Sequence, residues 1–187
     1  MIKVSNDIND RVIIKKGQRF MVLLFPLLGF GIKTFMPKSN LNIEQAREHL
    51  INEYKVLKMI EVFEMAPRAI HINEQGLFFE IVRGITLKEL LKKIRSSMVD
   101  KDILNEVIEQ ILIYCVILDK MGIIKKEMHR PEKHVFIDFI RDKDTSKSKV
   151  KVKMIDFERA KIIGKEVSKN TNQFMQFLRR IEQIKIN

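Results

Sequence analysis

Lys33, Glu53 and Asp156 are the side chains whose types and positions could do chemistry together. Lys33 sits in Ile32-Lys33-Thr34-Phe35, directly after Gly29-Phe30-Gly31. An ammonium in a sheet is costly unless it meets anions. Glu53 falls at helical spacing from Ala46, Leu50 and Leu57, on the apolar stripe of a long helix, whereas Glu44 and Glu48 point elsewhere. A carboxylate there asks for a cation, and Lys33 lies in the strand just before. Asp156 closes the alternating run Val150 to Ile155 and is followed by Phe157-Glu158. A carboxylate at the end of a buried strand suits a metal ligand facing a cleft. A cation on phosphates, carboxylates on Mg²⁺ and a group that orients the nucleophile are what phosphoryl transfer needs. The plainer readings are a lysine on an edge strand, a boundary glutamate reaching water and a strand-ending turn aspartate.

The elements that must hold these residues follow from periodicity. Arg11 to Ile14, Arg19 to Leu28 and Ile32 to Phe35 read as strands of an antiparallel meander, separated by Lys15-Lys16-Gly17 and Gly29-Phe30-Gly31. Pro26 marks an edge or the end of the second. Leu41 to Ile60 changes to a helical period, with Asn40 or Asn42 available as its cap. Ala69 to Asn73 and Leu77 to Val82 form a strand pair turning at Glu74-Gln75-Gly76. After Arg83-Gly84 the pattern becomes mainly helical. Thr86 to Ile94 carries a capping-box signal in Thr86 and Glu89, and Asp102 to Met121 reads as a largely buried helix stopped by Gly122. Val135 to Ile140 and Val150 to Ile155 are strands around the polar loop Arg141 to Lys149, and an amphipathic helix spans Thr171 to Ile184. The expected class is α+β. A strand-rich domain with one long helix spans residues 1–83, and a reduced, mainly helical one spans 84–187.

Bulk properties narrow the setting. A chain of 187 residues is long enough for one good core or two small lobes. Its single cysteine, Cys115, excludes a disulfide framework or a zinc knuckle and fits a reducing cytoplasm. The polar start, Met1 to Asp10, lacks the apolar region of a signal peptide, and no apolar run reaches the ~18 residues a membrane span needs. The net charge of +11 would attract phosphate on a nucleotide, an RNA or an acidic partner. Abundant Lys, Glu and Ile with no Trp also read as adaptation to heat. Lys147 to Lys153 is the densest basic stretch, read either as a solvated strand face or as such a contact. It lacks the interleaved aromatics that base stacking would use.

In order and approximate spacing, Lys33, Glu53 and Asp156 resemble the strand lysine, helix glutamate and DFG aspartate of protein kinases. The more specific resemblance is to small archaeal predicted Ser/Thr protein kinases, relatives of the RIO-type and KEOPS-associated atypical kinases. It runs from about Val12 to Leu178 and is carried by Gly122 to Val135 (GIIKKEMHRPEKHV), Ile155 to Glu158 and Lys169 to Leu178 (KNTNQFMQFL). The stretch around Glu53 (NEYKVLK) and the hinge Phe79 to Gly84 add to it. The resemblance implies a protein-kinase-like bilobal fold and transfer of the ATP γ-phosphate to a protein hydroxyl. In it the hinge at Glu80 and Val82 would bind adenine, Lys33 the phosphates and Asp156 the Mg²⁺. Gly17 is the one glycine left where typical kinases carry a glycine-rich loop, which the atypical relatives also thin.

The catalytic loop admits two registers. Counting from the preceding helix places Glu127 at the base position, since Lys125-Lys126-Glu127 stands where RIO-like enzymes carry His-Gly-Asp. Counting back from the following strand places His129 there and His134 at the metal-binding asparagine. Either a glutamate or a histidine can serve as a general base. His134 or Glu132 would support the phosphate and metal end. His129 and His134, without cysteines, make poor zinc-ligand spacing. Two rival readings accompany the kinase: a pseudokinase scaffold, and a basic nucleic-acid- or ribosome-associated protein that keeps only the shape.

Overall fold

The computed structural model describes residues 12–36, 41–141 and 148–184. The polar start Met1 to Asp10, Asn40 as a cap, Lys147 and most of the loop Arg141 to Lys149 lie outside the described residues. The chain divides into two compact units, Met1–Ile81 and Val82–Asn187. The expected boundary lay after Arg83, and Val82 belongs to the second unit.

The first unit is a five-stranded antiparallel sheet with one helix. Strands β1 (Ile13–Lys16), β2 (Phe20–Phe25) and β3 (Phe30–Phe35) form the meander, and β4 (Ala69–Asn73) and β5 (Gly76–Glu80) complete the order β1-β2-β3-β5-β4. The expected strand Arg19 to Leu28 ends at Phe25 because Leu28 and Gly29 donate their N–H groups back to the Phe25 carbonyl, at 3.1 and 3.0 Å. This turn needs a positive φ, which Gly29 supplies at 74°. β1 runs through Lys15 and Lys16 rather than stopping before them, since on an exposed edge strand pairing with β2 holds them in line.

Helix α1 (Ile43–Met59) sits between β3 and β4 in the chain. Its first turn is closed by a capping box: Asn42 Oδ1 accepts from Gln45 N at 2.8 Å while Gln45 reaches back to the Asn42 N–H. Ala46, Leu50, Glu53, Val56 and Leu57 form its buried face, and it packs on β3, β4 and β5.

The second unit opens with a two-residue strand, β6 (Ile85–Thr86), followed by α2 (Leu87–Arg95) and α3 (Lys101–Lys120). β8 (Val135–Arg141) pairs with β6 on one side and with β9 (Ser148–Met154) on the other. A small ribbon joins β7 (Ile123–Ile124) to β10 (Lys161–Ile162), and α4 (Lys169–Ile184) packs on α3. Gly84, with φ of 97°, lets β6 approach β8: a Cβ there would stand 2.0 Å from the Ile137 carbonyl oxygen. α3 buries one face only, through Leu104, Val107, Ile111, Cys115 and Leu118, and leaves Ile113 and Val116 about half exposed, so it is less buried than its apolar content suggests. The free edge of β9 is satisfied by α3: Gln110 bonds Val150 O and Val152 N at 2.9 and 3.2 Å, and Glu106 accepts from Val150 N at 3.3 Å.

No helix among the described residues is long and apolar enough to cross a membrane.

The expected cap of α2 has its full geometry. Thr86 Oγ1 accepts from Glu89 N at 3.2 Å, and Glu89 accepts from the Thr86 N–H at 2.7 Å, which holds the Glu89 carboxyl below its ordinary pKa. Thr86→Ala should therefore cost about 1 kcal/mol in a urea unfolding titration, with an unchanged slope.

Candidate functional site

In the first unit, Lys33 lies mid-strand in β3, opposite Val22 on β2 and Leu77 on β5. Its Nζ donates to Glu53 Oε2 at 2.8 Å, and the two side chains are only 12% and 6% exposed. The Phe20 ring lies 5.0 Å below the ammonium, so an aromatic face adds to the carboxylate. The buried stripe of α1 aims Glu53 at the sheet, as the spacing predicted. Together they hold a buried cation on β3 against a carboxylate of α1, 20 residues on in sequence.

Two other predicted residues of this unit have local partners. Gly17 donates its N–H to Phe20 O at 2.9 Å, closing the turn between β1 and β2. Glu80 ends β5 with its N–H on Arg68 O at 2.9 Å, and its carboxylate accepts from Arg68 N at 3.3 Å, so the side chain folds back onto the backbone before β4. A cavity of about 460 Å³ opens beside Thr34 and Phe35 at the end of β3, and none of the predicted site residues lines it.

In the second unit, Asp156 follows β9 with a left-handed φ of 68°. Its neighbours are pinned on both sides: Ile155 N donates to His134 O, and Lys125 Nζ donates to Asp156 O, each at 2.9 Å. The Asp156 carboxylate is partly exposed, and its Oδ2 lies 3.5 Å from His134 Nδ1. The other ring nitrogen, Nε2, lies 3.7 Å from Glu127 Oε2. One imidazole thus stands between two carboxylates, at ion-pair rather than direct hydrogen-bond distance. Glu127 also has a left-handed φ, 68°, in a turn closed by Arg130 N on Glu127 O at 2.8 Å. Burial, and next the charge of Lys125, lower the His134 pKa, while Asp156 and Glu127 pull it the other way.

Of the loop residues named from the sequence, the fold brings Glu127, His134 and Asp156 together, and His129 has no described contact with that group. Glu132 is engaged elsewhere: its Oε1 accepts from Arg180 of α4 at 2.7 Å, beside a ring contact of Arg180 with Phe177. Two residues escaped the sequence reading. Lys125 is 2% exposed and stacks 4.8 Å over the Phe157 ring. Asp119 is buried on α3 and takes the first turn of α4: Oδ1 accepts from Asn170 N and Nδ2, at 2.9 and 2.7 Å, and Oδ2 from Thr171 N and Oγ1, at 2.9 and 2.7 Å. A signal existed for each. Lys125 follows two isoleucines just as Lys33 follows one, and Asp119 stands four residues after the buried Cys115.

The donor set suits a hard cation. Asp156 offers carboxylate oxygens at a loop, and Glu158 brings a second carboxylate oxygen within 4.8 Å, the chemistry Mg²⁺ prefers, whereas Glu127 is linked to Asp156 only through His134. His134 supplies imidazole nitrogens that already face those carboxylates, which fits a bridging group better than a magnesium ligand. On β9, Lys149, Lys151 and Lys153 point away from the core formed by Val150, Val152 and Met154, and Lys151 stands across from Asp138 on β8.

No protein-family model and no curated protein matches the chain. Among solved structures, it is similar to the Rio2 kinase of Chaetomium thermophilum. One of these structures is an ADP/Mg²⁺-phosphoaspartate complex, with a TM-score of 0.63 at 14% identity. A second Rio2 structure from the same organism gives 0.62 at 14% identity. The matches cover 91% of this chain and 53% and 54% of the kinases, so the chain spans about half their length. At this identity the likeness shows the fold: an α+β, protein-kinase-like fold of the RIO type, with an antiparallel-sheet N-terminal unit and a largely helical C-terminal one.

Breaking the Lys33 pair on one side should be costly. Glu53→Gln is expected to lose about 3 kcal/mol of stability in urea titrations, and Lys33→Met with Glu53→Leu to recover most of it, because no lone charge then stays buried. For His134, NMR titration should place the folded pKa below the ordinary 6.5. The unfolded chain then binds the extra proton first, so stability should fall as pH drops below about 6.5, down to the folded-state pKa. His134→Gln should flatten that slope.

Proposed function

We propose that the chain is an atypical Ser/Thr protein kinase that uses ATP and Mg²⁺. The observation that carries this reading is the buried Lys33–Glu53 pair, 2.8 Å long, in the N-terminal unit of a kinase-like fold. A structural ion pair at that depth is weak support for stability by itself. A lysine oriented by a helix glutamate makes sense when its other neighbour is a phosphate. The same reading, following the sequence resemblance, places the chain with the small archaeal RIO-related and KEOPS-associated kinases and in the cytoplasm.

In this reading the hinge backbone at Glu80 and Val82 takes the adenine, and the turn at Gly17 lies over the nucleotide. Lys33 neutralises phosphate charge and Glu53 keeps it in place. Asp156 holds the magnesium, which when bound draws charge off the transferring phosphoryl group. Glu127 accepts the proton of the acceptor hydroxyl as its oxygen forms the new bond to the γ-phosphorus. The bond to the β-phosphate oxygen breaks and ADP leaves. His134, neutral at pH 7 by the direction of its shift, stands between Glu127 and Asp156. His129 is the base in the other register. Glu127→Gln with His129 retained, compared with the converse variant, decides between them by rate. The acceptor would be a protein hydroxyl, and Lys149, Lys151 and Lys153 would meet an acidic partner or RNA.

Thermal unfolding with ATP, with and without Mg²⁺, tests the core of the proposal. Ligand at ~100 times its dissociation constant adds about 2.7 kcal/mol of stability. For a chain of this size that corresponds to a rise of roughly 5 °C. A Mg²⁺-dependent rise in the wild type that disappears in Asp156→Asn is the expected result. An equal rise in both, or none in either, removes the kinase mechanism and favours a scaffold.

A further inference from the structure

Lys125 is among the largest fully buried side chains of the described residues, the one charged group beside aromatic and aliphatic ones. Solubility does not require a lysine there, since Lys126 beside it already reaches solvent in part. An ammonium withdrawn from water must be matched by fixed polar groups. Its described partners are the Asp156 carbonyl oxygen, 2.9 Å from Nζ, and the face of the Phe157 ring. The carbonyl belongs to the peptide that leaves Asp156 on its C-terminal side, and the ring to the residue that follows.

We propose that Lys125 is a positioning residue for the Asp156 carboxylate. The inference rests on the reading of Asp156 as the metal carboxylate and deepens it. The direction of a side chain on a left-handed residue is fixed by the peptides on both sides. One peptide earlier, the Ile155 N–H is tied to His134 O, which anchors the end of the strand before Asp156. On the C-terminal side, Lys125 holds the carbonyl, so φ of 68° is kept in a region that non-glycine residues seldom occupy. Without Lys125 the 156–157 peptide loses this donor, and the left-handed geometry that aims the carboxylate loses one of its holds.

Lys125 is itself held from two helices. Its own N–H donates to Asn170 Oδ1 at 2.8 Å, and Asn170 Nδ2 donates to Asp119 Oδ1 and to Ile123 O, both at 2.7 Å. Asn170 is completely buried. The chain of contacts therefore runs from α3 through the first turn of α4 to Lys125, and from Lys125 to the peptide after Asp156. The role is that of an outer-shell partner, which orients a ligand without touching the metal.

The test is Mn²⁺ binding in the presence of ADP, followed by the loss of the free-ion EPR signal, for full-length wild type, Asp156→Asn, Lys125→Met and Lys125→Arg. Urea titration of each variant reports stability separately. Lys125→Met should weaken Mn²⁺ affinity about tenfold or more at protein concentrations where it is fully folded, the usual scale for outer-shell partners. Lys125→Arg, which keeps a donor and a charge, should recover part of the loss. Wild-type affinity in Lys125→Met, with only stability reduced, overturns the positioning role and leaves the metal site standing. Absence of Mn²⁺ binding in the wild type, or binding unchanged in Asp156→Asn, overturns both readings. Should Lys125→Met fail to fold, NMR of the wild-type lysine ammonium groups decides. The Lys125 resonance, shifted by the Phe157 ring, should move on addition of Mg²⁺ and ADP, and a resonance that stays in place rules the proposal out.

Discussion

A charged group taken out of water must find fixed partners, and both units are organised around that requirement. Lys33 and Glu53 answer each other across β3 and α1. Lys125 is answered by a carbonyl and an aromatic face, and Asp119 by four donors from two consecutive residues of α4. Removing water raises the strength of each contact and the penalty for losing it. The same condition fixes local geometry. Asn170 and Thr171 can satisfy Asp119 only if α4 begins where it does, and the orphan N–H groups of its first turn are the ones satisfied. A carboxylate at a helix N-terminus is also favoured by the aligned peptide dipoles.

The loop from Gly122 to His134 depends on this arrangement more than on its own sequence. Gly122, with φ of 67°, ends α3 where a Cβ would stand 2.5 Å from the Lys165 carbonyl. From there α4 reaches the loop through three residues: Asn170 to the Lys125 N–H and the Ile123 carbonyl, Gln173 to the Met128 N–H at 3.1 Å, and Arg180 to Glu132. Two stretches that stood out as similar to kinases, GIIKKEMHRPEKHV and KNTNQFMQFL, are thus the two sides of one hydrogen-bonded assembly. Their residue types are constrained by each other.

Periodicity made part of this legible. Glu53 could be found because a helix repeats and its apolar stripe is visible in one window. The sheet strands of the first unit and the cap at Thr86 were readable for the same reason, being patterns complete within a few residues. Lys125, Asp119 and the Glu132–Arg180 pair were not, because their partners lie 31 to 52 residues away and no local pattern encodes them. β6, β7 and β10 are two residues each, too short to show any alternation. Glu132 stands on the 3₁₀ turn Pro131–Lys133 and pairs with Arg180 of α4, a partner that no local pattern announces.

Cys115 sits in the same interior, fully buried against α3's neighbours, and burial together with the nearby Asp119 carboxylate pushes its thiol up to about 12. Relative to an ordinary cysteine at 9.0, its thiolate population at neutral pH is about a thousandfold smaller. Thiol reagents will therefore pass over the only native sulfhydryl. A single cysteine introduced on the surface of each unit could carry a pair of fluorescent or spin labels in an otherwise unmodified background. The distance between the two units, with and without nucleotide, then becomes directly measurable.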